Sequence, residues 1–179
     1  MKFTLKDIVF AAIIAAAMNV ISYVTVPLVV AVPLPGIRVI VVAPFYGLLT
    51  ALALMRINKP GTVTLISFLT GAVLVFISPV ILVFLLASGI IADLLIYFFW
   101  RDLKKPKNII LGTAVYLAAM VPFGSLFGAI MTYHTPVGEL LTQSWLILGA
   151  ALLSFLLGAL GGFLGVKAGK ELQGVSLMK

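Results

Sequence analysis

Six long apolar stretches, separated by short polar or Pro/Gly-containing gaps, take up almost all of the 179 residues. Most approach the roughly 20 residues that an α-helix needs to cross the hydrocarbon core of a bilayer. The pattern predicts membrane-spanning helices over residues 5–32, 39–55, 62–77, 80–100, 109–131 and 141–166. The breaks carry turn chemistry. Pro33, Pro35 and Gly36 end the first run, Asn58, Lys59, Pro60 and Gly61 form a turn, Ser78 and Pro79 a tighter one, and residues 134–138 a loop. The third stretch is short for a full crossing, so a helix there is expected to be distorted or partly shielded by its neighbours. The expected fold is an all-α integral membrane protein, a single six-helix bundle forming one domain over residues 1–179. No internal repeat accompanies it, so the inverted symmetry that marks binding sites in many secondary transporters has no counterpart here.

Charge adds orientation. Eleven of the twelve Lys and Arg residues fall before the first stretch, in alternate gaps, or after the last: Lys2 and Lys6, then Arg56 and Lys59, then Arg101, Lys104, Lys105 and Lys107, then Lys167, Lys170 and Lys179. Of the basic residues, only Arg38 occupies one of the other gaps. Because basic residues near helix ends are retained in the cytoplasm, both termini are expected inside. The net charge of +7 is thereby a topology signal, and a nucleic-acid partner has little support.

Composition excludes a soluble protein: 63% of residues are hydrophobic, 9% are charged and the mean hydropathy is +1.28, against about a quarter charged in soluble domains. The first apolar run extends from residue 8 past residue 30 with no clear small-residue cleavage site, so it is expected to be a helix and not a cleaved signal. Cysteine is absent, which removes disulfides and thiolate chemistry.

Catalytic constellations are missing. The single histidine, His134, has no neighbouring nucleophile, and there is no Gly-x-Ser-x-Gly, His-Glu-x-x-His, Walker sequence or metal-spaced cluster. The reading is therefore a non-enzyme with no cofactor and no metal, and active transport would draw energy from a partner. Asp93 lies inside the fourth stretch, where an acid is costly and faces the protein interior. It is either a functional site or a structural hydrogen-bond partner of another helix, and Tyr97, four residues on, shares its face. Asn19, Ser22 and Tyr23 lie on one side of the first helix and either contact ligand or satisfy one another. At the expected external face gather Arg38, Tyr46, Tyr133, His134, Glu139, Gln143 and Trp145. Aromatic, amide and single charged groups converging there match a small-molecule pocket, although interfacial anchoring also explains Trp145 and Tyr133, and a solvated pair also explains Arg38 and Glu139.

Small residues mark two close-approach surfaces. Ala11 with Ala15 and Ala12 with Ala16 form small-xxx-small pairs on the first helix, serving either internal packing or docking of another membrane subunit. Gly149, Gly158, Gly161, Gly162 and Gly165 form the second, expected to be internal.

Several of these features together resemble the substrate-binding S components of energy-coupling factor (ECF) transporters. The first helix opens Phe3-Thr4-Leu5-Lys6-Asp7-Ile8-Val9-Phe10-Ala11-Ala12 and is followed by a Pro/Gly-containing outer loop. Pro44-Phe45-Tyr46-Gly47 with the turn at 56–61 resembles the second and third helices of the YkoE-type and MptD or Trep_Strep-type members, Gly89-Ile90-Ile91-Ala92-Asp93 their fourth, and residues 161–165 followed by Lys167 and Lys170 their closing helix. The resemblance implies a multi-pass protein of a prokaryotic plasma membrane that captures a scarce water-soluble micronutrient. It also implies a transmembrane coupling subunit and two cytosolic ATPase subunits as partners, with Ala11, Ala12, Ala15 and Ala16 as the docking surface. The alternative is a self-contained secondary transporter or facilitator that uses Asp93 as a proton or cation site.

Overall fold

The computed structural model describes residues 3–30, 36–76, 79–99, 103, 105–131 and 143–176. They form six helices and, among the described residues, no strand: α1 (Leu5–Val30), α2 (Ile37–Ile57), α3 (Thr62–Leu74), α4 (Pro79–Phe99), α5 (Pro106–Met131) and α6 (Ser144–Ser176). All except α3 are long and apolar enough to cross a membrane. Their outward faces carry Ile13, Val24, Phe68, Phe98, Leu148 and Leu160, each substantially exposed. Side chains of that kind on most outer faces are stable in contact with lipid and would be an aggregation surface in water.

Helix ends follow local chemistry. α1 opens with a reciprocal cap in which the Thr4 amide donates to the Asp7 carboxylate (2.9 Å) and the Asp7 amide to the Thr4 hydroxyl (3.3 Å), the two-way arrangement of a capping box. α2 ends at Asn58, whose left-handed backbone (φ 47°) returns its N–H to the Leu54 carbonyl. Gly61 (φ 88°) then turns the chain into α3. The Lys59 ammonium donates to Asp7 at 2.6 Å and ties this turn to the start of α1.

α2 and α5 run a few residues beyond the predicted 39–55 and 109–131, and two further departures bear on the packing. The regular part of the third segment stops at Leu74, short of the predicted residue 77, and its 13 residues span about 20 Å. It buries Val63, Ile66, Ser67, Thr70 and Leu74 and packs on α4 and α1, so its shortness is covered by neighbours. α6 runs the other way, continuing ten residues past the predicted 166 to Ser176. The added stretch includes Lys167, Lys170 and Glu171, which end an apolar run but are good helix formers. Thirty-three residues make about 50 Å of helix, longer than a bilayer core is thick.

The packing centres on α2, which touches α1, α3, α5 and α6. The glycines of α6 let its backbone lie directly against those of α2 and α5. A Cβ built on Gly165 would sit 2.5 Å from the Leu48 carbonyl oxygen, and one on Gly161 would overlap the Pro44 carbonyl. The glycine surface is thus an internal seam, except Gly149, which meets nothing within 4 Å. α1 lies at the edge of the bundle, packed on α2 and α3. Its two alanine pairs part company: Ala11 and Ala15 are buried, whereas Ala12 and Ala16 are exposed.

Antiparallel neighbours bring the described basic residues other than Arg38 to one end of the bundle. Lys6 and Lys59 sit by the start of α1 and the α2–α3 turn, Arg56 at the end of α2, Lys105 and Lys107 at the start of α5, and Lys167 and Lys170 in the last turns of α6. Arg38 is about 27 Å along α2 from Arg56, at the far end.

Candidate ligand-binding site

The far end holds a small, partly open space of about 30 Å³ whose polar wall is Arg38, Ser22 and Tyr46 and whose apolar wall includes Leu74, Phe84, Leu85 and Met120. Each helix contributes for a local reason. Gly36, in a left-handed conformation (φ 73°), starts α2 without a side-chain cap, and its tight fit against Val121 and Ala150 sets where the first turn lies. Arg38 on that turn is half-buried and points to α1, donating from Nη2 to the Ser22 Oγ at 2.7 Å. Two turns further, Tyr46 is 3% exposed and its hydroxyl donates to the Met18 carbonyl at 3.1 Å, close to Ser22 and Arg38. Asn19 sits one turn from Ser22 on the same buried side of α1, 5% exposed, and neither its carboxamide nitrogen nor its oxygen has a partner among the described residues.

The structure therefore gathers Arg38, Tyr46 and Ser22 around one cavity, with Asn19 beside them. The other candidates lie elsewhere. Tyr23 turns outward (53% exposed), and so does Trp145 at the start of α6 (71% exposed), a position suited to an aromatic anchor at the membrane interface. Gln143 precedes α6, where its backbone carbonyl accepts from the Leu146 and Ile147 amides. Tyr133, His134 and Glu139 fall outside the described residues. Leu74, Phe84, Leu85 and Met120 carry no distinguishing signal in the sequence, because an apolar lining residue on an apolar helix looks like any other.

Asp93 is held in a different place and in a different way. Its carboxylate accepts from the Thr64 amide (2.6 Å), the Thr64 hydroxyl (2.6 Å) and, more distantly, the Val63 amide (3.4 Å). Those amides open α3, whose Gly61 cap offers no side chain, so Asp93 caps α3 from the neighbouring helix and meets the positive end of its dipole. Tyr97 does not share this environment: it is 47% exposed and makes an edge contact with Phe98.

Two larger grooves, about 570 and 430 Å³, lie at the basic end and both touch Phe10 and Arg56. The first runs along the start of α1, and the second lies between α1, α2 and α6, reaching Gly169 and Leu172. Among the described residues no group of three or more His, Cys, Asp or Glu side chains is arranged to hold a metal ion.

These features define a multi-pass α-helical membrane protein with a largely apolar cavity, bearing Arg38, Ser22 and Tyr46 on one side, at one end of its bundle. Comparison with known protein families, with curated proteins and with solved structures finds no match to this chain.

Proposed function

We propose that the protein is the substrate-binding S component of an ECF-type importer, capturing a small water-soluble micronutrient at the external face for ATP-driven uptake by partner subunits. The observation that carries this reading is the Arg38 cavity. It is a cation-bearing, partly polar space at the end opposite the basic residues, which the positive-inside rule assigns to the cytoplasm. A binding subunit needs a recessed site open to the outside and an energised partner, and this chain carries no nucleotide-binding motif of its own. The self-contained transporter loses its main support, because the Asp93 carboxylate is taken up by the start of α3.

The partner side of the proposal rests on α1. Ala12 and Ala16 form a small-residue face turned away from the bundle, where another helix can approach closely. Ala12→Trp and Ala16→Trp are expected to abolish ATP-dependent uptake and leave ligand affinity within about two-fold, since a bulky side chain forfeits many small contacts only at the docking face. Ala11 and Ala15 are spent on internal packing, so tryptophan there is expected to lower thermal stability as well.

The test combines native mass spectrometry of gently purified protein, to identify a retained small molecule, with uptake of that molecule into proteoliposomes. Uptake that requires a membrane coupling subunit, two ATPases and ATP supports the proposal. Uptake by this chain alone overturns it in favour of a facilitator.

A further inference from the structure

We propose that the Arg38 cavity is a carboxylate site, taking the singly charged head of a small organic acid. The inference rests on the ligand-binding part of the reading above and names the class of ligand. Four observations converge on it. Charge comes first: Arg38 has no carboxylate partner among the described residues, where Asp7 is paired with Lys59 and Asp93 with the start of α3. Its guanidinium is turned inward to Ser22 on α1, and it projects from the first turn of α2, the positive end of that helix's dipole.

The second observation is Asn19. A buried carboxamide with both polar atoms unmatched by protein is uncommon, and here it lies one helical turn from the serine that holds Arg38. Asn19 is outside the cavity lining, so it adds polarity to that side of α1 and no direct contact to the ligand. Third, about 30 Å³ has room for roughly two or three non-hydrogen atoms, the size of a carboxylate head and little else. Last, the facing wall of Leu74, Phe84, Leu85 and Met120 offers no second cation. One guanidinium matches one carboxylate, frequently through two parallel hydrogen bonds. A doubly charged phosphate would leave a charge facing hydrocarbon, which is costly without a partner.

The experiment uses the full chain in lipid nanodiscs, without partner subunits or ATP, so its outcome is separate from the question of how transport is energised. Binding of acetate, butyrate, acetamide, butyramide and inorganic phosphate is measured by calorimetric titration at fixed ionic strength. Each acid is expected to bind about 10- to 100-fold more tightly than its neutral amide, the discrimination typical of a charged hydrogen bond. Arg38→Gln is expected to reduce that ratio to about two-fold or less, and Arg38→Lys to retain part of it. Should either variant fold poorly, the acid-to-amide ratio of the unaltered protein decides alone. Equal binding of acid and amide, a preference for inorganic phosphate, or no saturable binding of any of the five probes each overturns the proposal.

Discussion

Gly161→Leu is expected to prevent α6 from seating between α2 and α5, giving protein that aggregates in mild detergent or unfolds far below the wild-type midpoint. Even a single Cβ at this position would overlap the Pro44 carbonyl. Pro44 sits inside α2 and its carbonyl belongs to the backbone, so the clash cannot be relieved by a rotamer change. Overpacking of a core by side chains alone costs about 1–3 kcal/mol, and here the two helix axes must separate along the whole seam. The close approaches of Gly165 to Leu48 and of Gly47 to Gly158 belong to the same seam and would open with it. In lipid no hydrophobic drive compensates, because tails are as apolar as the side chains they replace. Gly149→Leu is the matched control: that position meets nothing within 4 Å and is expected to leave the midpoint within about 1 °C, as surface substitutions usually do. Monodispersity by size-exclusion chromatography and a thermal melt of both variants check this. A Gly161→Leu protein as stable as Gly149→Leu would mean that the α2–α6 seam is not packed in this way.

The glycine seam illustrates what is legible in the sequence. Length, hydropathy and alternating basic gaps are enough for six helices, because each is a property of a continuous segment. Where a helix stops is harder to read. The end of α3 at Leu74 is decided by its neighbours, and the continuation of α6 to Ser176 by charged residues that end a hydropathy plot without ending a helix. The candidate site divides along similar lines. Arg38 stands out because it is the one basic residue in the wrong kind of gap, and the structure sets it against Ser22 and near Tyr46. Tyr23 and Trp145 look equally suitable in the sequence, since an aromatic that contacts ligand and one that anchors at a lipid interface have the same signature. On α1, Ser22 and Tyr23 lie about 60° and 40° to either side of Asn19. Only the position of α2 and α3 makes the serine buried and the tyrosine exposed.

Asp93 depends on contacts made 29 and 30 residues away in the chain, which no local pattern reports. Its replacement carries the other large expected effect. Asp93→Ala leaves the Thr64 amide and hydroxyl and the Val63 amide without their acceptor in a half-buried setting, and it removes the negative charge facing the start of α3. Loss of an N-cap costs about 0.5–2 kcal/mol, and hydrogen bonds to a charged group are worth about 1.5–3 kcal/mol, so a destabilisation of about 3 kcal/mol is expected. α3 is the element least able to absorb it: it is 13 residues long, its own cap is a glycine, and it lends Ser67 to a buried bond with the Tyr116 hydroxyl. Asp93→Asn keeps one acceptor oxygen in nearly the same place and is expected to recover more than half of the lost stability. A site of proton or cation transfer would show the opposite ranking of consequences, with Asn abolishing pH-driven flux while leaving the melt unchanged. Thermal midpoints of the two variants, together with flux in proteoliposomes of the unaltered chain, separate the cases. A large loss for Ala, a small one for Asn and no autonomous flux in the wild type identify Asp93 as the cap that holds α3 in the bundle.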